Sequence, residues 1–94
     1  MANYIAIIHK EAKNDFGVSF PDFPGCITAG GDIDEAKDMA QAALALHIQG
    51  MLEDGEQLPD PSRLEDTMAD PDFTDATAYP IVSIPDLKPR TVRV

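Results

Sequence analysis

The side chains that could perform chemistry in this chain of 94 residues are few and widely spaced. His9 and His47 are the only histidines, and without a paired cysteine or an obvious carboxylate partner they make a weak metal-binding pair. Cys26 is the single cysteine, and no neighbouring sequence suggests that its thiol is activated as a nucleophile. We therefore predict no catalytic residue, no metal site and no cofactor, and we assign Cys26 to packing.

Charge is the strongest signal in the composition. The chain has 17 Asp and Glu against 7 Lys and Arg, a formal net charge of −10. Residues 32–87 hold 14 of these carboxylates, whereas residues 88–94 are basic. Nucleic-acid binding depends on Lys and Arg that neutralise phosphates, so this balance argues against it and favours basic partners.

Length and cysteine content narrow the class of protein. Ninety-four residues suit one small domain with a modest core, and a single cysteine forms no internal disulfide. No apolar run approaches the roughly 18 to 20 residues of a membrane span, and the first residues do not resemble a secretory signal. We predict a cytoplasmic protein that is not inserted in a membrane.

Apolar periodicity predicts four strands. Tyr4–Ile8 is apolar on both alternating sets, which indicates a central strand covered on both faces, with a subunit contact on one of them. Aromatic and small residues alternate in Phe16–Phe20, and Cys26–Ala29 follows a loop that contains Pro24 and Gly25. A last strand is predicted at 79–84, with Pro80 at its start and Pro85 at its end.

One long helix and one short helix are predicted between the third and fourth strands. Asp32 as N-cap, followed by Glu35, starts the long helix at Ile33, and Gly55 stops it after Glu53. Its packed face is predicted to contain Ile33, Ala36, Ala40, Ala43, Leu44, His47, Ile48 and Met51. A second capping box, Ser62 with Glu65, predicts a helix from Arg63 to Ala69 that ends before Pro71. The fold class is α+β, in the order β-β-β-α-(short α)-β.

Several segments together resemble the HicB family of antitoxins, the protective half of HicA/HicB toxin-antitoxin pairs. The most specific segment is Val18-Ser19-Phe20-Pro21-Asp22-Phe23-Pro24-Gly25-Cys26. The opening strand, the helix entry at 31–36, and the segment 42–62 with its Glu53-Asp54-Gly55-Glu56 helix end also fit. The resemblance covers about residues 3–87. It implies a partial RNase H-like domain with a three-stranded antiparallel meander, a long helix and a fourth strand.

The resemblance also implies a function and a partner. HicB antitoxins bind a small basic HicA-type toxin, an mRNA interferase shaped like a double-stranded-RNA-binding domain, and block its active site. Acidic side chains would steer toward such a basic partner, although the default meaning of an acidic run is solubility. The loop after the second strand is either a tight connection alone or also a toxin contact. We predict toxin contacts at Asp22, Phe23, Glu53, Asp54, Glu56 and Asp60.

The C-terminal residues raise the question of DNA binding and self-assembly. Relatives of this kind continue into a ribbon-helix-helix or helix-turn-helix segment that binds operator DNA. We predict a domain at 1–87 and a basic tail at 88–94, which would be the start of such a segment, and we do not expect these residues alone to bind DNA. A homodimer or higher homo-oligomer is predicted, with contacts at Tyr4, Ala6, Ile8, Val92 and Val94.

Two other functions compete with the antitoxin hypothesis. The chain could be a self-assembling acidic domain without a toxin partner. An RNase H-like fold also suggests a metal-dependent nuclease, which needs several carboxylates on adjacent strands. The first three predicted strands contain no Asp or Glu, so we predict a fold without that chemistry and a protein that is not an enzyme.

Overall fold

The computed structural model describes residues 2–11, 15–73 and 75–84. Its elements follow the predicted order, with the first predicted strand divided at Ala6. In chain order they are β1 (Ala2–Ile5), β2 (Ile7–Lys10), β3 (Phe16–Ser19), β4 (Ile27–Gly30), α1 (Ile33–Glu53), α2 (Leu64–Ala69), a 3-10 turn (Pro71–Phe73) and β5 (Ile81–Ile84).

The strands form the predicted antiparallel meander with a fourth strand beside it. β2, β3 and β4 pair in sequence order, with Val18 opposite both Ile8 and Thr28. β5 pairs antiparallel with β1. The N–H of Ala6 donates to the Pro80 carbonyl, and the N–H of Ile8 donates to the Ala78 carbonyl, each at 2.9 Å. The chain before β5 therefore continues alongside β2. The predicted first strand therefore lies between the second and the fourth.

The core lies between the sheet and α1. The helix buries Ala36, Ala40, Leu44 and Ile48. The two alanines in its N-terminal half are small, so the helix approaches the strands closely there. Gly30 is required by this contact, because a Cβ there would lie 2.5 Å from the backbone nitrogen of Ala36. On the sheet, Tyr4, Ala6 and Ile8 face this core with Val18 and Phe20.

The opening strand is covered on both faces, as predicted. Ile5 and Ile7 belong to the alternate set, and they are 4% and 0% exposed. A run in which both sets of side chains are buried reads as continuously apolar rather than alternating. The sequence of this segment is therefore explained by burial within the protein itself.

Both ends of α1 are capped as the sequence predicts. Asp32 Oδ1 accepts from the Glu35 N–H at 2.7 Å, and Glu35 Oε1 accepts from the Gly31 N–H at 2.7 Å. At the other end Gly55 has φ +77°. The N–H of Glu56 donates to the carbonyl of Met51 at 2.9 Å, which completes a Schellman motif.

The predicted short helix is present as α2, but the prediction that Ser62 caps it is wrong. α2 begins at Leu64 and its N-cap, Arg63, makes no side-chain capping hydrogen bond. Ser62 instead donates its hydroxyl to Asp22 Oδ1 and its N–H to Asp22 Oδ2, the latter at 2.9 Å. Hydrogen bonds to a charged carboxylate are stronger than those to a neutral backbone group, so the tertiary contact outweighs the local cap.

Candidate functional site

The loop between β3 and β4 is the tight connection that its residue types predict. Gly25 has φ +90°, a conformation that suits glycine, and the Cys26 N–H donates to the Phe23 carbonyl at 3.0 Å. The ring of Phe23 is buried under the loop. It lies edge-on to the ring of Tyr4 with centroids 4.7 Å apart, and edge-on to His47 with centroids 5.7 Å apart.

The segment that follows α1 is fastened to the same loop. The hydroxyl of Tyr4 donates to the Pro59 carbonyl at 2.7 Å, and Ser62 binds both carboxylate oxygens of Asp22. Leu58, which precedes Pro59, packs against the core. Burial raises the pKa of Tyr4, and the negative charges of Asp22 and Asp60 raise it further.

A surface groove of about 510 Å³ lies between this loop and the C-terminal half of α1. Aromatic, apolar and carboxylate side chains share its lining, which contains neither Lys nor Arg. We call it the acidic groove. Its lining residues are Asp22, Phe23, Pro24, Leu46, His47, Gly50, Met51, Asp54 and Glu56.

The acidic groove brings together residues that are more than 30 positions apart in the sequence. Of the predicted toxin contacts, Asp22, Phe23, Asp54 and Glu56 line it, whereas Glu53 and Asp60 do not. Asp54 and Glu56 are exposed. Asp22 is half-buried and both its oxygens accept from Ser62, so it contributes charge to the groove while holding the loop in place.

Sequence reasoning missed several lining residues on α1. Leu46, Gly50 and Met51 line the acidic groove, and only Met51 carried a prediction, as part of the packed face. Leu46 is 73% exposed, so it does not belong to the helix's core side. The available signal is the absence of Asp, Glu, Lys and Arg from residues 39–52, where an exposed helix face would ordinarily carry charge.

The groups considered for catalysis occupy structural positions. Cys26 is 5% exposed, its Sγ lies 3.9 Å from the Ala43 carbonyl, and burial raises the pKa of the thiol. His9 Nδ1 lies 3.7 Å from Asp75 Oδ1. His47, predicted for the packed face of the helix, is half-buried, and its ring lies against that of Phe23. Within residues 2–11, 15–73 and 75–84, no three His, Cys, Asp or Glu side chains are grouped so that they could hold a metal ion.

The residues predicted to join two copies of the chain have a different role. Tyr4, Ala6 and Ile8 are at most 2% exposed and face α1 in the core. The core of a single chain thus accounts for the apolar character on which that prediction was based, and their side chains offer no surface to a second copy. Val92 and Val94, with the rest of the basic tail, lie outside the described residues.

Over the part of the chain that the structure describes, no helix combines the length and the apolar character needed to cross a bilayer.

A three-stranded meander, a long helix packed on it and an acidic groove beside the helix end define a small α+β domain with a candidate protein-binding surface. Comparison with known proteins identifies the class. The chain belongs to the HicB-like antitoxin family of bacterial toxin-antitoxin systems, whose family model matches residues 4–94. The resemblance found in the sequence is confirmed, as is the fold class.

Solved structures share this fold over most of the chain. The antitoxin HicB of Burkholderia pseudomallei is 29% identical in sequence, with a TM-score of 0.83. The match covers 100% of this chain and 73% of that protein. A chain of the HicA3 and HicB3 toxin-antitoxin complex is 28% identical, with a TM-score of 0.73 over 89% of this chain and 99% of that one.

A curated phage protein is also similar. It is an uncharacterised 14.9 kDa protein of Haemophilus phage HP1, 44% identical over 66 residues. The match covers 70% of this chain and 50% of the phage protein, so the chain spans about half the length of that relative.

Proposed function

We propose that this chain is an antitoxin that binds a small basic, RNA-cleaving toxin of the HicA type and neutralises it by covering its active site. Family membership supports the antitoxin role, and the HicA3 and HicB3 complex supports the kind of partner. The proposal includes no catalytic activity for the chain itself. It also includes action in the cytoplasm, where such a toxin meets its RNA.

The acidic groove is the observation that carries this proposal. A toxin that grips RNA needs a cationic active-site surface, since affinity for RNA depends strongly on phosphate contacts. Exposed Asp54 and Glu56 at the end of α1 would attract that surface and compete with RNA for it. The loop that forms the other side of the groove is held by the ring contacts of Phe23 and by the hydrogen bonds of Ser62 to Asp22, which lowers the cost of ordering it when the toxin binds.

Assembly and DNA binding stay predictions. We propose a homodimer or higher homo-oligomer whose contacts lie elsewhere than Tyr4, Ala6 and Ile8. Operator binding is proposed only for a form that carries a ribbon-helix-helix or helix-turn-helix segment beyond the basic tail at 88–94.

The charge of the acidic groove predicts how the toxin associates. Under this proposal, the protein encoded beside this gene is the small basic toxin. We expect the double variant Asp54→Asn/Glu56→Gln to bind that protein with an association rate about tenfold lower at low salt, because electrostatic steering is weakened. The same variant should show a shallower dependence of that rate on ionic strength. Surface-immobilised binding kinetics at several salt concentrations measure both effects.

A matched control separates local charge from net charge. Asp38→Asn/Asp72→Asn removes the same number of charges from exposed positions outside the acidic groove. We expect a smaller reduction of the association rate for this control. Equal effects of the two double variants would contradict the assignment of the groove, and a toxin that does not bind the unaltered chain would contradict the proposed function.

A further inference from the structure

Helix α1 presents an uncharged flank to solvent. Residues 39–52 contain no Asp, Glu, Lys or Arg, although 26% of the whole chain is charged. Within this stretch Met39 is 42% exposed and Leu46 is 73% exposed. The core of the described residues therefore does not account for these two side chains.

The uncharged flank adjoins an edge of the sheet. Among the described strands, β4 pairs with β3 on one side only, and its Ile27 side chain is 72% exposed. A shallow depression of about 320 Å³ lies beside the contact of β4 with α1, and both Ile27 and Leu46 line it. We call the surface formed by Ile27, Ala43 and Leu46 the apolar patch.

The apolar patch is continuous with the acidic groove. Leu46 and His47 line both depressions, so the two surfaces meet along one side of α1. Exposed apolar side chains that are scattered singly need no explanation, but adjoining ones rimmed by polar residues are typical of protein-binding surfaces. The carboxylates of Asp54 and Glu56 stand at one end of the combined surface.

We propose that the apolar patch is the anchor of the toxin interface: it receives an apolar side chain of the same basic toxin whose cationic surface lies over the acidic groove. This inference rests on the proposed function. Charge selects the toxin as the occupant, because a second copy would bring a further net charge of −10 close to Asp54 and Glu56. A basic partner relieves that charge instead.

The two surfaces then contribute to different rate constants. Long-range attraction by the acidic groove speeds association, whereas desolvated apolar contacts determine how long the complex lasts. A few well-packed, desolvated residues near the centre of an interface usually carry most of its binding energy. Truncation of the apolar patch should therefore act on dissociation and leave the salt dependence of association unchanged.

The test compares single-residue variants of the full chain, each of which shortens one exposed side chain to alanine. We expect Leu46→Ala and Ile27→Ala each to raise the dissociation rate of the adjacent-gene toxin about tenfold or more. Leu64→Ala on α2 and Ile81→Ala on β5 are matched controls, since they remove the same chemistry from exposed positions outside both depressions. Thermal unfolding of all four variants checks that each remains folded.

The outcomes distinguish this inference from the proposed function. If the unaltered chain binds the toxin and the patch variants dissociate like their controls, the anchor is refuted and the antitoxin role stands. If the unaltered chain forms a dimer that only the patch variants lose, with toxin dissociation unchanged, a second copy occupies the patch and the inference is overturned. Absence of any toxin binding refutes both.

Discussion

At the scale of single residues, Tyr4 joins the core to the wall of the acidic groove. Its ring packs against Phe23, and its hydroxyl donates to the Pro59 carbonyl at 2.7 Å. Ionisation of the phenol would replace this donor with a buried negative charge near Asp22 and Asp60. The same contacts that shape the groove thus make the folded state prefer neutral Tyr4.

This preference predicts a loss of stability in alkali. The pKa of Tyr4 is raised from 10.0 in the folded chain, so the unfolded chain releases its proton first as the pH rises. The stabilisation is fully present below pH 10 and is lost as the pH rises through the folded pKa. Urea unfolding at several pH values measures it, with Tyr4→Phe as the control that lacks this part of the decline. Parallel declines in both proteins would contradict the assignment.

At this scale the sequence predicted the carboxylates that line the acidic groove, but not the exposed apolar side chains beside them. Asp54 and Glu56 could be predicted because capped helix ends and acidic runs are local features. Leu46 was not predicted as a contact. Periodicity leaves it off the packed face, but its spacing does not show whether an exposed apolar side chain binds a partner. The Asp22 to Ser62 contact joins distant segments, so the local capping signal at Ser62 was misleading.

At the scale of elements, α1 has well-defined caps at both ends and a residue of low helix propensity, Gly50, in its interior. The predicted bounds, Ile33 to Glu53, match the observed helix because both caps are written in the sequence. Gly50 lies within the last turns of this continuous helix. A Cβ at Gly50 would meet no atom of the chain within 4 Å, so neither packing nor a positive φ requires glycine there.

Substitution of this glycine is expected to stabilise the folded chain. Gly50→Ala should raise the free energy of unfolding by about 1 kcal/mol, the usual difference in helix propensity between the two residues. The added methyl group also enters the acidic groove, so toxin affinity should fall while stability rises. Urea unfolding and binding measurements on one preparation test both signs.

Gly30→Ala is the contrasting control for that experiment. It makes the same chemical change where a Cβ would meet the backbone of Ala36 at 2.5 Å, and we expect a loss of roughly 1 to 3 kcal/mol from overpacking. A destabilising effect of Gly50→Ala would contradict its account. A gain in stability without any loss of toxin affinity would instead argue against close approach of the toxin to this part of α1.

The order and type of the elements were predictable because local sequence signals specify them. Strands, both helices and their sequence follow from apolar periodicity and turn residues, and the meander is what short connections between strands favour. The placement of β5 beside β1 is a long-range pairing that periodicity does not encode. The resemblance to a known family implied a fourth strand, but it did not say which strand this one pairs with.

At the scale of the whole molecule, charge and apolar surface are separated along one side of α1. The acidic groove lies at the C-terminal end of the helix and the apolar patch lies beside β4. A net charge of −10 keeps such a surface from associating with itself and favours a basic partner. This arrangement suits an antitoxin that must find its toxin quickly and release it slowly.

Neutralisation of the toxin is the central claim, and inhibition of RNA cleavage tests it most directly. The small basic protein encoded by the adjacent gene is incubated with labelled RNA while this chain is added in increasing amounts. We predict that cleavage falls in proportion to the added chain and ceases near one chain per toxin. RNA cleavage that continues unchanged in the presence of a molar excess of the chain would contradict the claim.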